Sequence, residues 1–469
     1  ADRGSIDALR AEPAIPDLTE HIQGLVEAEW VRLLHELRRV RLIAPESEHS
    51  PDVLDAHPLV REQFSRQLQN KYPGAWREGN NRLYEHLKSI AKELPDTMKE
   101  MAPLFAAVAH GCQAGRHQEA MDEVFWQRIR RGAVGFSVHK LGASGADLSA
   151  LSGFFDSLWS RPVAGLVGTF KAFALNGAGF LLRALGRLTE AAQPMQAGLE
   201  AAIAQEDWKN AARAASNLSE LQLNIGDVFQ ALDYARQSVE LADRSDDVVW
   251  RTHTRVRFAD ALHQSGQMRE SEAGFRESEE MQKEYHLGGP FLYGLSGFQY
   301  CNLLLGQGRC QEVQNRAGQT IEIAIRNNHL LSIALDHLSL GRVHLLLAQE
   351  EGTGDFTQAV DELDQAVDGL RQAGTQHHIP RGLLARAELH RVRDDYERAQ
   401  RDLDEAMTIA TRGRMGLHEA DCHLGYARLY LAMGEKEKAR ERVDVAKEMV
   451  ESMGYGRRRK GVKEIEGEF

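Results

Sequence analysis

The chain has 469 residues, and its 57 Lys and Arg stand against 69 Asp and Glu, a formal net charge of -12. That acidic balance argues against a general nucleic-acid or membrane-surface binder, while leaving room for a local basic patch. No run of about 18 apolar residues occurs and no signal-peptide pattern opens the chain, so no membrane partner is expected. The four cysteines, Cys112, Cys301, Cys310 and Cys422, stand singly in helical phrases without a C-x-x-C pair. They read as small core residues of a protein in a reducing, cytoplasmic compartment.

Residues 1–90 open on an amphipathic phrase, ADRGSIDALRAEPAIPDLTEHI, that begins without a start Met. This reads as a fragment of a longer protein, although a processed Met would leave the same start. A helix is expected from Glu27 to Arg39, then an extended piece at Val40-Arg41-Leu42-Ile43, then the polar segment APESEHSPDV. LDAHPLVREQFSRQL comes next, extended at first and helical after Pro58, a residue suited to a first helical turn. Helix, helix, strand, wing, strand, helix is the order of a small winged-helix domain. Arg32, Arg38, Arg39 and Arg41 give the first of these segments a basic character, but Glu27, Glu29 and Glu36 share it. The field is mixed, so the face reads as solvated, and DNA is not an expected partner.

Residues 91–165 read as a helical bridge. Pro95 and Pro103 frame its start, and the phrase from Phe105 to Ala120 has Gly115 at a turn and Ala120 five residues on. The stretch 132–165 breaks the phase of the C-terminal repeat and suggests a hinge, with one apolar helix near Leu148–Leu158.

Residues 166–456 carry the strongest signal. A turn recurs about every forty residues, at Gly186, Gly226, Gly266, Gly308, Gly354, Asp394 and Gly434. Five residues after each turn stand Ala191, Ala231, Ser271, Val313, Ala359, Ala399 and Ala439. Before the turns stand Gly179, Ser219, Ala259, Cys301, Gly341, Ala387 and Ala427, with Gly341 displaced by the insertion Gln349-Glu350-Glu351-Gly352-Thr353. Small residues at fixed places on two successive amphipathic helices let hairpins cross closely. Seven units in one phase define a mainly α chain, a right-handed α-α superhelix, in which each unit buries its apolar face on its neighbours. Residues 457–469 read as a basic and acidic tail.

Phrases such as LLRALGRLTEAAQPMQAGLEA and LYLAMGEKEKARERVDVAKEM resemble the tetratricopeptide repeat (TPR), with helices longer by nearly a turn each. The resemblance implies a groove on the inner side, lined by the first helix of each unit. Carried over position by position, the family's groove residues fall on Phe173, Asn176, Phe180, Arg183, Arg213, Glu220, His253, Asp260, His263, Asn302, Arg342, Arg381, Glu388, Arg391, Asp421 and Arg428, with Phe298 interleaved. Mixed charge with aromatics suits a protein or peptide ligand, and the loop His286–Tyr293 can project toward it.

Leu54-Asp55-Ala56-His57-Pro58-Leu59-Val60-Arg61-Glu62 resembles the Met-His-Asp-type motif of STAND nucleotide switches, the class of NACHT and NB-ARC proteins, departing from it at Ala56 and Pro58. The resemblance implies that His57 reaches the β-phosphate of ADP held by an upstream nucleotide-binding domain; an imidazole N–H can donate there. On its local sequence His57 reads equally as a helix-capping residue ahead of a proline.

No P-loop (G-x-x-x-x-G-K-S/T), H-E-x-x-H or G-x-S-x-G pattern is present, and the histidine run His329, His337, His344 is spaced too widely to share a metal. No enzyme, metal or cofactor is therefore expected in the chain itself, with ADP or ATP entering only through an upstream domain. The resemblances imply the ligand-sensing, autoregulatory region of a bacterial STAND-type signalling ATPase in defence or transcription-linked signalling, able to oligomerise at full length. A free-standing TPR adaptor, and a winged-helix transcription regulator with a TPR sensor, are the other readings.

Overall fold

The structure is a computed structural model that describes residues 2–46, 53–285, 289–352 and 354–469. The chain divides into two compact units. One comprises the residues up to Phe136 with Ser152–Asp156 and Val163–Val167; the other comprises Ser137–Leu151, Ser157–Pro162 and Gly168–Phe469.

The first unit holds α1 (Arg3–Arg10), α2 (Glu27–Arg39), α3 (Pro58–Lys71), α4 (Pro73–Ile90), α5 (Met98–Gln113) and α6 (His117–Glu119), which runs on as a π-helix over Ala120–Ile129. The extended piece expected at residues 40–43 is a helix stop instead. Arg41 takes a left-handed φ of 60°, the Arg41 N–H donates to the Arg38 carbonyl, and the Leu42 N–H reaches back to Leu37. That reversal ties off the last carbonyls of α2 and leaves no strand to pair. Up to residue 90 the described residues contain no strand, so the expected winged-helix order is not seen there; 47–52, most of the expected wing, lie outside the described residues. Arg38 and Arg39 pair with Glu46 and Glu36, in keeping with the mixed field read from the sequence.

Around Gly115, where the sequence suggests a degenerate unit, the chain turns between α5 and α6. Gly115 has φ 81° and Ala120 is buried; at Gly111 a Cβ would meet Ala120 and Tyr84 at 2.9 Å, so α4, α5 and the π-helix pack backbone-close. Arg128 donates to the carbonyls of Lys88, Ala91, Lys92 and Glu93, satisfying the end of α4.

The out-of-phase stretch contains α7 (Phe136–Leu141), α8 (Ser144–Ser152), and the strands β1 (Phe155–Ser157) and β2 (Arg161–Pro162), which form a two-stranded ribbon. The expected apolar helix thus ends at Ser152.

Seven helical hairpins complete the array: α9–α10 (Gly168–Ala184, Leu188–Ala204), α11–α12 (Trp208–Ile225, Val228–Arg244), α13–α14 (Val248–Ser265, Met268–Glu284), α15–α16 (Gly294–Gly306, Cys310–Arg326), α17–α18 (Leu330–Glu351, Thr357–Gln372), α19–α20 (Ile379–Val392, Tyr396–Gly413) and α21–α22 (Gly416–Ala432, Lys436–Ser452). All seven expected turn residues take a positive φ, from 58° at Asp394 to 106° at Gly226. The small residues sit buried where the two helices of a hairpin cross. At Gly179 a Cβ would meet Met195 Cγ at 2.4 Å, and at Gly341 it would meet Leu363 Cγ at 2.7 Å. Where serine replaces glycine or alanine, its hydroxyl finds the partner helix: Ser219 donates to the Ala231 carbonyl (2.8 Å) and Ser271 to the Ala259 carbonyl (2.7 Å). The insertion lengthens α17 by a turn. This helix is long and apolar enough by composition to cross a membrane, but much of it is buried in the array, where it carries Asp336 and Arg342.

The expected tail is ordered. A 3-10 turn at Gly456–Arg458 leads into α23 (Arg459–Glu466), whose Val462 and Ile465 are buried against the last hairpin.

Candidate ligand-binding site

The superhelix coils tightly enough for one turn to touch the next. The Gly186 turn lies against Met415 and Gln376, and the Gly226 turn against Gly416 and Met453. The Gly266 turn lies against Gly456, where a Cβ would meet the Ser265 carbonyl oxygen at 2.1 Å. The Val228 N–H donates to the Met453 carbonyl across the same seam (3.3 Å). Stacked turns enclose what an open array leaves as a groove: a cavity of about 400 Å³ lined mostly by first helices of the hairpins α11 to α21 and by Tyr455, Arg457 and Arg458.

The charged walls are largely paired. Glu220 on α11 accepts Arg183 (2.8 Å) and Arg257 (3.3 Å), with His377 Nε2 at 3.8 Å. Burial works to raise the Glu220 carboxyl, but Arg183, Arg257 and His377 hold it well below the carboxylate range. Asp421 accepts both Nε (2.6 Å) and Nη2 (2.9 Å) of Arg458 and the Tyr455 hydroxyl; against burial, Arg458 above all, with Arg457 and His418, holds its carboxyl below the usual value. Glu388 pairs with Arg391 on its own helix. Asp260 accepts from the amides of Gln264 and Gln299, both at 2.8 Å, and burial lifts its carboxyl above the usual value.

Four guanidiniums have no carboxylate within ion-pair distance among the described residues. Arg342 on α17 and Arg457 on the closing turn both donate to one neutral acceptor, the Asn302 amide oxygen, at 2.8 and 2.7 Å. Arg381 on α19 lies 5.5 Å from the Phe298 ring centroid, and its buried Nε has no hydrogen-bond partner. Arg428 on α21 completes the set. Burial and the nearness of Arg457 and Arg458 push Arg342 down to about 9, and burial with Arg458 pushes Arg457 down to about 10. Aliphatic side chains, among them Leu338, Leu345, Leu384 and Leu424, fill the spaces between.

Of the groove positions expected from the sequence, Glu220, Asp260, Asn302, Arg342, Arg381, Glu388, Arg391, Asp421 and Arg428 line the cavity, as does Phe298. Arg183 stands behind Glu220. Phe173, Asn176, Phe180, Arg213, His253 and His263 do not line it: Asn176 accepts from Asn217 (3.2 Å), Phe180 lies under Arg183, and His253 packs beside Trp250. The described residues of the loop after α14 do not line the cavity. Gln282 holds the carbonyls of Gly289 and Phe291, and Leu292 is buried; His286 to Gly288 lie outside the described residues. His57 is exposed and caps α3, its Nδ1 accepting the Leu59 N–H at 3.3 Å.

Sequence reasoning misses Arg457, Arg458, Gln264 and Gln299. The two glutamines neighbour chosen positions on α13 and α15. The arginines sit in the run Arg457-Arg458-Arg459-Lys460, where the phase would start another first helix, and that placement is the signal that marks them. Glu220, His377 and His378 bring ligand atoms within 4.8 Å of one another. Two guanidiniums already neutralise that carboxylate, so the cluster suits neutral histidines, which burial favours at both positions. All four cysteines are unpaired and buried; burial pushes the Cys301 thiol to about 12, far from a reactive thiolate.

The second unit is thus a TPR-like α-solenoid with a charged interior cavity. No protein-family model matches the chain, and no curated protein matches it by sequence. Among solved structures it is similar to a Rap protein complexed with competence and sporulation factor (TM-score 0.51, 10% identity, covering 85% of this chain and 99% of that one). It is equally similar to the Rap conjugation gene regulator of the plasmid pLS20 in complex with the Phr* peptide (TM-score 0.51, 10% identity, 84% and 93% covered). A STAND protein with a tetratricopeptide repeat sensor from Pyrococcus horikoshii aligns with a TM-score of 0.41 at 13% identity, covering 88% of this chain and 57% of that one. At these identities the likeness to the two Rap structures establishes a shared fold, and the weaker third match carries no argument for a nucleotide switch.

Proposed function

We propose that the chain is a non-catalytic sensor that binds a short peptide, or a peptide segment of a protein, inside its superhelix. The observation that carries this reading is the cavity itself. Side chains from first helices of the hairpins α11 to α21 converge on one space of about 400 Å³, within the usual range of ligand pockets, about 300 to 1,000 Å³. Its walls alternate charged, amide and aliphatic groups, the combination that holds an extended backbone and reads its side chains. One Rap structure of this fold was solved with the Phr* peptide and the other with competence and sporulation factor, which supports a ligand-binding use here. Binding at a place where two superhelical turns meet would favour the closed arrangement over a looser one, and that shift of population is the signal.

The test is affinity selection of hexapeptides from a random library by the full chain, read by mass spectrometry. Retained peptides should raise the melting temperature of the wild-type chain and should be lost from Ala385→Trp, which fills the cavity from α19. Retention that survives Ala385→Trp would move the site out of the cavity and end this reading.

A further inference from the structure

An acidic chain that keeps unpaired cations in its interior is far from indifferent to what enters. Arg342, Arg381, Arg428 and Arg457 line one cavity without a carboxylate in ion-pair distance among the described residues, while acids of the same wall are held by other groups. Crowding buried guanidiniums around a single amide oxygen is costly unless a counter-charge arrives. Among the described residues the buried Nε of Arg381 has no acceptor. The aliphatic stretches of Leu338, Leu345 and Leu384 lie among these cations.

We infer that the ligand is an acidic peptide, presenting two or more carboxylates to Arg342, Arg381, Arg428 and Arg457 and aliphatic side chains to the leucines between them. This deepens the peptide-sensor reading and rests on it. Guanidiniums fork onto carboxylates with two parallel N–H donors, and between largely buried side chains such pairs are strong. The four arginines do not belong to one element. Three sit on α17, α19 and α21, and Arg457 sits on the turn whose glycine touches the Gly266 turn. A bound carboxylate therefore cancels the repulsion that opposes this seam, and the ligand fastens one superhelical turn to the next.

The same library selection decides it, with inorganic phosphate alone as a second probe. Asp and Glu should be enriched about tenfold in the retained hexapeptides over the input, as expected for charge-assisted contacts. Retention should fall as salt rises, and amide exchange at Gly454–Arg458 should slow in the bound chain. Arg342→Gln with Arg381→Gln should abolish the enrichment. If that variant does not fold, the salt dependence and composition of wild-type retention still decide. Retention of neutral peptides as readily as acidic ones would overturn the acidic ligand and leave the sensor reading standing. Binding of phosphate with no peptide retained would overturn both, leaving a small-anion site. Retention of nothing would likewise overturn both.

Discussion

The linkers between hairpins come in two kinds. After the first, second and fourth hairpins the chain turns through Glu206, Asp246 and Asn328, each left-handed, with φ of 54°, 53° and 46°. After the last three it turns through Gly374, Arg414 and Gly454, equally left-handed at 67°, 53° and 70°, and here glycines crowd in: Gly374, Gly413, Gly416, Gly454 and Gly456. Backbone geometry is the same in both, so conformation alone does not require glycine. Approach does. At Gly374 a Cβ would meet the Gly142 carbonyl oxygen at 2.7 Å, and at Gly416 the Ile225 carbonyl oxygen at 2.5 Å. Glycine is required where a linker's own backbone lies against the backbone of a distant segment, as at Gly374 and Gly416.

The sharpest test lies where both kinds of packing meet. Glu220 joins Arg183 and Arg257 from neighbouring hairpins and faces His377 from the next superhelical turn. Glu220→Ala should cost about 3–5 kcal/mol, since it leaves Arg183 buried without its partner. A chemical-denaturation curve close to wild type would show that this network contributes little. Next comes the ordinary seam: Ala399→Leu overpacks the crossing of α19 and α20 and should cost about 1–3 kcal/mol. Ala191→Leu and Ala439→Leu should behave alike. Unchanged melting in all three would mean the repeat phase is misplaced.

Gly456→Ala should cost less, under about 1 kcal/mol, because the seam between superhelical turns can open locally while the hairpins stay packed. Faster amide exchange confined to residues 454–466 is the expected sign. A loss as large as that of Ala399→Leu would erase the distinction between the two seams.

The smallest effect is a gain. Among the described residues Asp336 on α17 accepts only Thr320 (3.0 Å), its second oxygen has no hydrogen-bond partner, and burial pushes its carboxyl up to about 8. Its folded value thus lies above its unfolded value. Below about pH 4 the group is protonated in both states and costs nothing; from about pH 4 to 8 stability falls as the unfolded chain alone ionises. Asp336→Asn should raise stability by about 1 kcal/mol at pH 8 and leave it unchanged at pH 4. Equal shifts at both pH values would place the effect elsewhere.

Legibility in the sequence divides along the same line. The seven turns, the small residues at the crossings, eight of the inner charges and Asn302 recur in one phase, so a period exposes them. The closing contacts have no period: Gly266 and Gly456 share no unit, and no local pattern marks that they touch. The expected strand at Val40–Ile43 is absent for a local reason, since a β-branched pair around Arg41 and Leu42 fits a helix stop as well as a strand once Arg41 turns left-handed. Arg457 and Arg458 escape the period because they stand beyond the last full unit, and a charge run at the end of an array looks solvated until the preceding superhelical turn is placed against it.

Repeat proteins are commonly modular, each unit feeling only its nearest neighbours, so that units can be exchanged or reordered at modest cost. The Gly374, Gly416 and Gly456 contacts remove that freedom here. Exchanging the second hairpin and its linker through Val248 for the sixth through Gly416 would preserve every small residue in phase, yet set Val248 at the place of Gly416, where a Cβ would meet the Ile225 carbonyl oxygen at 2.5 Å. The order of these seven units is therefore itself a structural constraint, written in three linkers.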